Sequence, residues 1–144
     1  MMLRREVFDR VGRFDPKYFM YCEDMDLCFK IHKAGLKVLH VPEAEILHHG
    51  GGSSQRQFSK FSTVLTREAV TCYLKSNFGA FHAWYYRFCM GLSAFSRLCV
   101  LLPLRLVRRG EAGTVNAISV QKWQVILKWC LGGEQWAKTY PPGN

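Results

Sequence analysis

Acidic residues are scarce in the second part of this chain. Of 11 Asp and Glu in 144 residues, only Glu68, Glu111 and Glu134 lie beyond Gly50. The same stretch holds twelve of the 20 Lys and Arg, so it carries the whole formal charge of +9. Residues 1–50 balance to zero, with eight residues of each sign. Such asymmetry points to an anionic partner, either nucleic acid or a phospholipid surface. No CxxC pair occurs among the six cysteines, so a zinc site from Cys22, Cys28 and His32 has little spacing to recommend it. No cationic segment followed by an apolar core opens the chain, so no secretory signal is expected. Reduced thiols in a cytosolic compartment follow from that reading. Internal repeats, low-complexity tracts and RNA-binding motifs are missing too. With 49% hydrophobic and 22% charged residues, a disordered tail is excluded.

What is present reads as short helices, a strand and then long helices. Leu3, Val7 and Val11 recur at i, i+4, i+8, which predicts a short helix closed by Gly12 in a left-handed conformation. The stretch RFDPKYF reads as a turn. A second helix is expected from Glu23 or Asp24 to about Lys33, with Gly35 beyond its end. LKVLHVP reads as a strand stopped by Pro42, and residues 44–48 as a second short one. HHGGGSS is a loop, and Gln57 to Phe78 is helical, closed by Gly79. The run from Phe81 to Arg109 is apolar and long enough to suggest a membrane span, but Arg87 and Arg97 argue against a simple one. On a helical projection Arg87, Arg97, Arg105, Arg108 and Arg109 share a sector of about 120°. Pro103 is expected to kink or end that helix. A last apolar helix covers AISVQKWQVILKWCL.

The chemistry concentrates in FMYCEDMDLCF, residues 19–29, where Glu23, Asp24 and Asp26 interrupt an apolar run. Carboxylates are seldom fully buried unless paired or metal-bound. One reading makes Glu23 or Asp24 an N-cap, because free N–H groups at a helix start favour negative charge. It does not explain why Phe19, Met20 and Tyr21 lead straight into the acids. The second feature is His48-His49 before three glycines. A histidine at a strand end beside such a loop can reach a metal or a phosphate-bearing ligand.

These residues resemble the acceptor-side half of inverting, family 2 glycosyltransferases, in particular the rhamnosyltransferase-like branch of polysaccharide assembly. The resemblance rests on Val11-Gly12, Phe14-Asp15, Tyr18-Phe19, Glu23-Asp24, Asp26-Leu27, Lys30, Gly35, Pro42, His48 and Gly51-Gly52-Ser53. It is tight over residues 3–54 and thins through residue 79. It implies an α/β fold: a partial GT-A-like (Rossmann-like) half-domain with a few short strands, followed by a mostly helical C-terminal region. It implies transfer from a nucleotide-sugar donor to a hydroxyl of a glycan or lipid-linked acceptor, with inversion. Asp24 would then be the general base. Glu23 would support it or orient the acceptor. Phe19, Tyr21, Gly51, Gly52 and Ser53 would bind substrate. His48 would ligate a Mg²⁺ or Mn²⁺ ion that neutralises the leaving diphosphate. Asp26 is assigned a local or capping role.

The resemblance also implies that a nucleotide-binding half with a strand-borne Asp-x-Asp is missing. The chain alone is therefore expected to have negligible transferase activity and marginal stability. The expected organisation is residues 1–54 as the acceptor-side part, 55–79 as a linking helix and 80–144 as a helical, basic, membrane-associated region. For that last region three readings stand. It is core, or a platform at the membrane, or a nucleic-acid binder, and no motif supports the third. In the membrane reading Trp84, Tyr85, Tyr86, Trp123 and Trp129 sit at headgroup depth and the arginine face meets anionic lipid. The expected location is cytoplasmic, peripheral at the inner face of the cell membrane. A second functional reading makes the chain a non-catalytic membrane-binding or accessory module that supports a separate donor-binding chain.

Overall fold

The structure is a computed structural model and describes residues 1–45, 47, 59–107 and 111–139. The chain divides into two compact units, Met1–Gln57 and Phe58–Asn144.

In the first unit, α1 (Arg5–Arg10) and α2 (Glu23–Lys33) are joined by a turn-rich segment. Both helices end by the same device. Gly12 (φ 86°) and Gly35 (φ 75°) take the left-handed conformation that a side chain disfavours. Arg13 N–H then donates to Phe8 O at 2.9 Å, and Leu36 N–H to Ile31 O at 3.1 Å, closing each last turn. On α1, Asp9 accepts from Arg5 at 2.9 Å and Arg13 at 2.8 Å. These two guanidinium contacts hold its carboxyl below the ordinary carboxylate range. Leu27 and Ile31 are the buried apolar residues of α2.

No β-strand occurs among the described residues, which corrects the α/β, GT-A-like half-domain expectation. LKVLHVP is irregular instead. A strand is held by its ladder, and this segment has no strand beside it among the described residues to accept its backbone groups. Val38, Leu39 and Val41 consequently stand exposed. Together with Val7, Cys28 and Ile31 they line an open groove of about 500 Å³. The second expected strand, 44–48, lies partly outside the described residues.

The second unit is helical: α3 (Lys60–Phe78), α4 (Ala80–Val107), α5 (Glu111–Cys130) and a short 3-10 helix, Gln135–Lys138. α3 starts three residues later than its apolar spacing suggests, because Ser59 caps it, its Oγ accepting from Ser62 N–H at 3.2 Å. α4 runs through Pro103 without ending. A proline removes one backbone donor, and here the helix continues past it to Val107.

α3, α4 and α5 pack against one another. Val64 and Trp129 are fully buried, with Ala137 against them and Tyr86, Met90 and Trp136 around the edge. The indole N–H of Trp129 donates to Glu68 Oε2 at 2.8 Å. Arg87 reaches across from α4, donating to the carbonyls of Trp129 and Cys130. Its guanidinium stacks 4.3 Å from the Trp129 ring and lies 3.8 Å from Glu68. These carbonyls are at the open end of α5, where a cation is favoured. Further along, Arg97 covers the Trp123 ring at 4.4 Å. Arg87 and Arg97 thus serve the helix packing, Arg97 while still exposed, whereas Arg105 is exposed and Arg108 and Arg109 lie outside the described residues. Trp129 and Tyr86 are likewise turned into the packing and are not free to sit at headgroup depth.

Glu134 is buried against the same cluster. It accepts from Trp136 Nε1 at 2.7 Å and pairs with Lys60 at 3.0 Å. Burial pushes its carboxyl up, but the Trp136 and Lys60 hydrogen bonds and the Lys60 and Lys128 charges outweigh it and hold the group below its ordinary value. A carboxyl lowered in the folded state stabilises above its unfolded value of about 4.3 and loses that contribution as pH falls through the lowered folded value. The unfolding midpoint of the second unit is therefore expected to fall as pH drops from 5 to 3, in steps of about one. Glu134→Gln should start lower and show a flatter profile in the same thermal scans. Trp129→Ala should cost about 3–5 kcal/mol, measured by urea unfolding at neutral pH.

Candidate functional site

The acid cluster lies at the start of α2, and its three carboxylates have three different environments. Tyr21 (φ 70°) and Cys22 (φ 66°) precede the helix in consecutive left-handed conformations. Neither is glycine, and each such residue costs on the order of 1–3 kcal/mol. Cys22 is the N-cap, it is buried, and no side chain caps the helix. This corrects the expectation that Glu23 or Asp24 is the cap. Both belong to the first turn of α2.

Asp26 holds the turn in place. It is 1% exposed. Its Oδ1 accepts from the Tyr18 hydroxyl at 3.1 Å, and its Oδ2 pairs with Lys30 at 2.9 Å. Lys17 stands 3.7 Å from Oδ1 and 2.9 Å from Asp15. The Lys17 ammonium, aided by the Lys17 amide, holds the Asp15 carboxyl below the usual range. Lys30 also donates to Arg13 O at 3.2 Å, so the cluster fastens the end of α1 to the start of α2. The Asp26 N–H donates to Cys22 O at 2.9 Å, the first helical bond over the strained turn. Asp26 thus does more than cap locally. Its spacing to Lys30, four residues on, was a readable signal. Its partnership with Tyr18 was not, because irregular chain lies between them.

Asp24 is exposed, and its Oδ1 accepts only from the neighbouring Met25 N–H, at 2.8 Å. It has no ion pair among the described residues. Glu23 is half-buried, and its Oε2 is buried with no hydrogen-bond partner among the described residues. Phe19 is 45% exposed and Tyr21 is half-buried. The arrangement therefore offers one solvent-facing carboxylate on a helix N-terminal turn, where negative charge is favoured. Beside it in the chain is a buried acceptor without a donor.

His48, Gly51, Gly52 and Ser53 lie outside the described residues. Among the described residues no three His, Cys, Asp or Glu side chains converge as a metal site. The divalent-cation expectation rests on His48.

Residues 1–131 match the sequence model of the family described as Glycosyl transferase family group 2, and the chain belongs to that family. It is 48% identical over 56 residues to N-acetylglucosaminyl-diphospho-decaprenol L-rhamnosyltransferase of Mycobacterium tuberculosis, covering 39% of this chain and 18% of that protein. It is 38% identical over 78 residues to Rhamnosyltransferase WbbL of Escherichia coli K12, covering 54% and 26%. It is 32% identical over 53 residues to O-antigen biosynthesis protein RfbC of Myxococcus xanthus, covering 37% and 4%. The matched stretch thus spans about a quarter or less of the length of these relatives. No solved structure matches the chain.

The contrast between the carboxylates can be measured. Asp26→Ala strands Lys30 and the Tyr18 hydroxyl and should cost about 3–5 kcal/mol. Tyr18→Phe should cost about 1–3 kcal/mol, since its bond goes to a charged group. Asp24→Asn is expected within about 0.5 kcal/mol of the parent chain. Chemical unfolding of the first unit, followed by tyrosine fluorescence, ranks the three.

Proposed function

We propose that this chain contributes the acceptor-side chemistry of a glycosyltransferase, in which Asp24 takes the proton of an attacking acceptor hydroxyl. The observation that carries the reading is the division of labour at α2. Asp26 is buried, hydrogen-bonded to Tyr18 and ion-paired with Lys30, whereas Asp24, two residues before it, is exposed and unpaired among the described residues. A general base must be reachable by the hydroxyl it serves, and Asp24 is. Two strained residues placed immediately before the pair support the same assignment, since such strain gathers at functional sites.

Glu23 fits the role of orienting the acceptor. A buried carboxylate oxygen without a donor is an uncommon feature, and a sugar hydroxyl supplies the missing donor. Phe19 and Tyr21 would flank the sugar. The base abstracts the hydroxyl proton as the oxygen attacks the anomeric carbon. The bond to the nucleotide diphosphate breaks on the opposite side, so the configuration inverts. A Mg²⁺ or Mn²⁺ ion, with His48 as its ligand from this chain, would offset the charge of the departing diphosphate.

Membership of the family supports the reaction class, and the names of the mycobacterial and Escherichia coli relatives support a rhamnosyl donor. The name of the former, which includes a diphospho-decaprenol, supports an acceptor joined to a lipid.

The test is a transfer assay with a nucleotide-sugar and a polyprenyl-diphosphate-linked saccharide, using this chain alone and supplied with a donor-binding chain. The chain alone is expected to be inactive. In the supplied reaction Asp24→Asn should lower turnover by about 10²–10⁴-fold with the fold intact. Undiminished transfer by that variant removes Asp24 from the mechanism and favours the accessory-module reading.

A further inference from the structure

The long helix α4 packs with its polarity reversed. In a helix at the surface of a water-soluble domain the apolar stripe faces the core and charges face outward. Here Arg87 and Arg97 face the other helices, where carbonyls, a carboxylate and two indole rings satisfy them. The small residues Ala83 and Ala94 and the side chain of Leu98 are buried on that side too. The bulky residues stand outside. Phe81, Trp84, Phe88, Leu92, Phe95 and Leu102 are each between 45% and 67% exposed. At 100° per residue they fall within a stripe about 60–80° wide that contains no charged residue. Only 11% of the most apolar part of this helix is buried. A groove of about 440 Å³ between Phe88, Leu92 and Leu131 continues the face onto the end of α5.

We propose that this outward face of α4 is seated in the hydrocarbon of a lipid bilayer whose surface is anionic, with the helix lying in the plane of the membrane. Three observations select lipid as the occupant. The face is uniformly apolar along about 30 Å of helix, at 1.5 Å per residue. Trp84 and Tyr85 are exposed at one end of it, as residues that favour the headgroup boundary. The whole net charge of the chain lies in residues 51–144, and Arg105 and Lys122 are exposed there. That charge complements anionic headgroups and opposes the approach of a second copy. α5 selects the in-plane placement. It pairs with α4 through Arg97–Trp123 and Asn116–Leu101, yet exposes Gln121, Lys122, Gln124 and Lys128. A hairpin crossing the bilayer would carry those polar groups into hydrocarbon, which is costly. A pair lying flat buries one side of α4 and leaves α5 wet. The inference is independent of the role of Asp24.

The experiment is flotation of the purified chain with phosphatidylcholine vesicles, with and without phosphatidylglycerol. The chain should float with the mixed vesicles and bind neutral ones several-fold more weakly, at about fivefold per engaged cation. Phe88→Glu with Leu92→Glu changes two exposed positions and should retain helical circular dichroism. It should lower partition by at least about tenfold. Bromines on the acyl chains should quench the fluorescence of the parent chain, and Trp84→Phe should lose most of that quenching. Failure of the folded parent to float overturns the proposal, as does equal flotation of the double variant. A lipid-free dimer that the same two substitutions dissolve, without flotation, assigns the face to a second copy and overturns it as well.

Discussion

The second unit is organised by the satisfaction of one half-buried cation, Arg87. Arg87 has five N–H donors and no acceptor, so burying it requires several oxygens or an aromatic face at fixed positions. α5 supplies two end carbonyls and the Trp129 ring, and α3 supplies Glu68. Three helices therefore meet at one side chain. Once Arg87 is turned inward, the helical period fixes the rest of α4. Ala83 and Ala94 follow it into the packing, and Phe88, Leu92 and Phe95 are left outside. The exposed apolar face is thus the geometric consequence of an internal polar contact. It does not signal poor packing, since Trp129 and Val64 beneath are fully buried.

The first unit follows the same logic on a smaller scale. Asp26 is an anion that must be matched, and Tyr18 and Lys30 match it. Those contacts over-determine the turn enough to hold Tyr21 and Cys22 in conformations that favour glycine. The result is a helix that starts abruptly, with Glu23 and Asp24 in its first turn and Asp24 open to solvent.

Much of the local structure was readable from spacing. α2 buries Leu27 and Ile31 as its apolar period suggests, whereas α1 covers only Arg5–Arg10 and buries no residue; Gly12, Gly35 and Gly79 close helices where their positions suggested. The family too is carried by the sequence, whose residues 1–131 match its model. The strand over LKVLHVP was not secured by its Val and Leu content, because a strand is defined by a partner and periodicity says nothing of one. The N-cap was misread for a related reason. Three acids near a helix start are interchangeable in sequence, and only contacts distinguish the one that is buried.

The orientation of the arginines on α4 shows the same limit. Their shared sector was visible in the sequence, but whether it faces water, lipid or other helices depends on distant residues such as Trp129, 42 positions beyond Arg87. By itself, the amino-acid order determined where helices run and end, the separation of charge between the two parts, and the family. Backbone geometry and side-chain period are local properties, so a single sequence carries them. The tertiary structure alone decided that Asp26 is the buried anchor and Asp24 the free carboxylate. It alone decided that α4 sets Arg87 and Arg97 against α5 and most of its aromatics outward, because burial and pairing are set by contacts between distant parts of a chain.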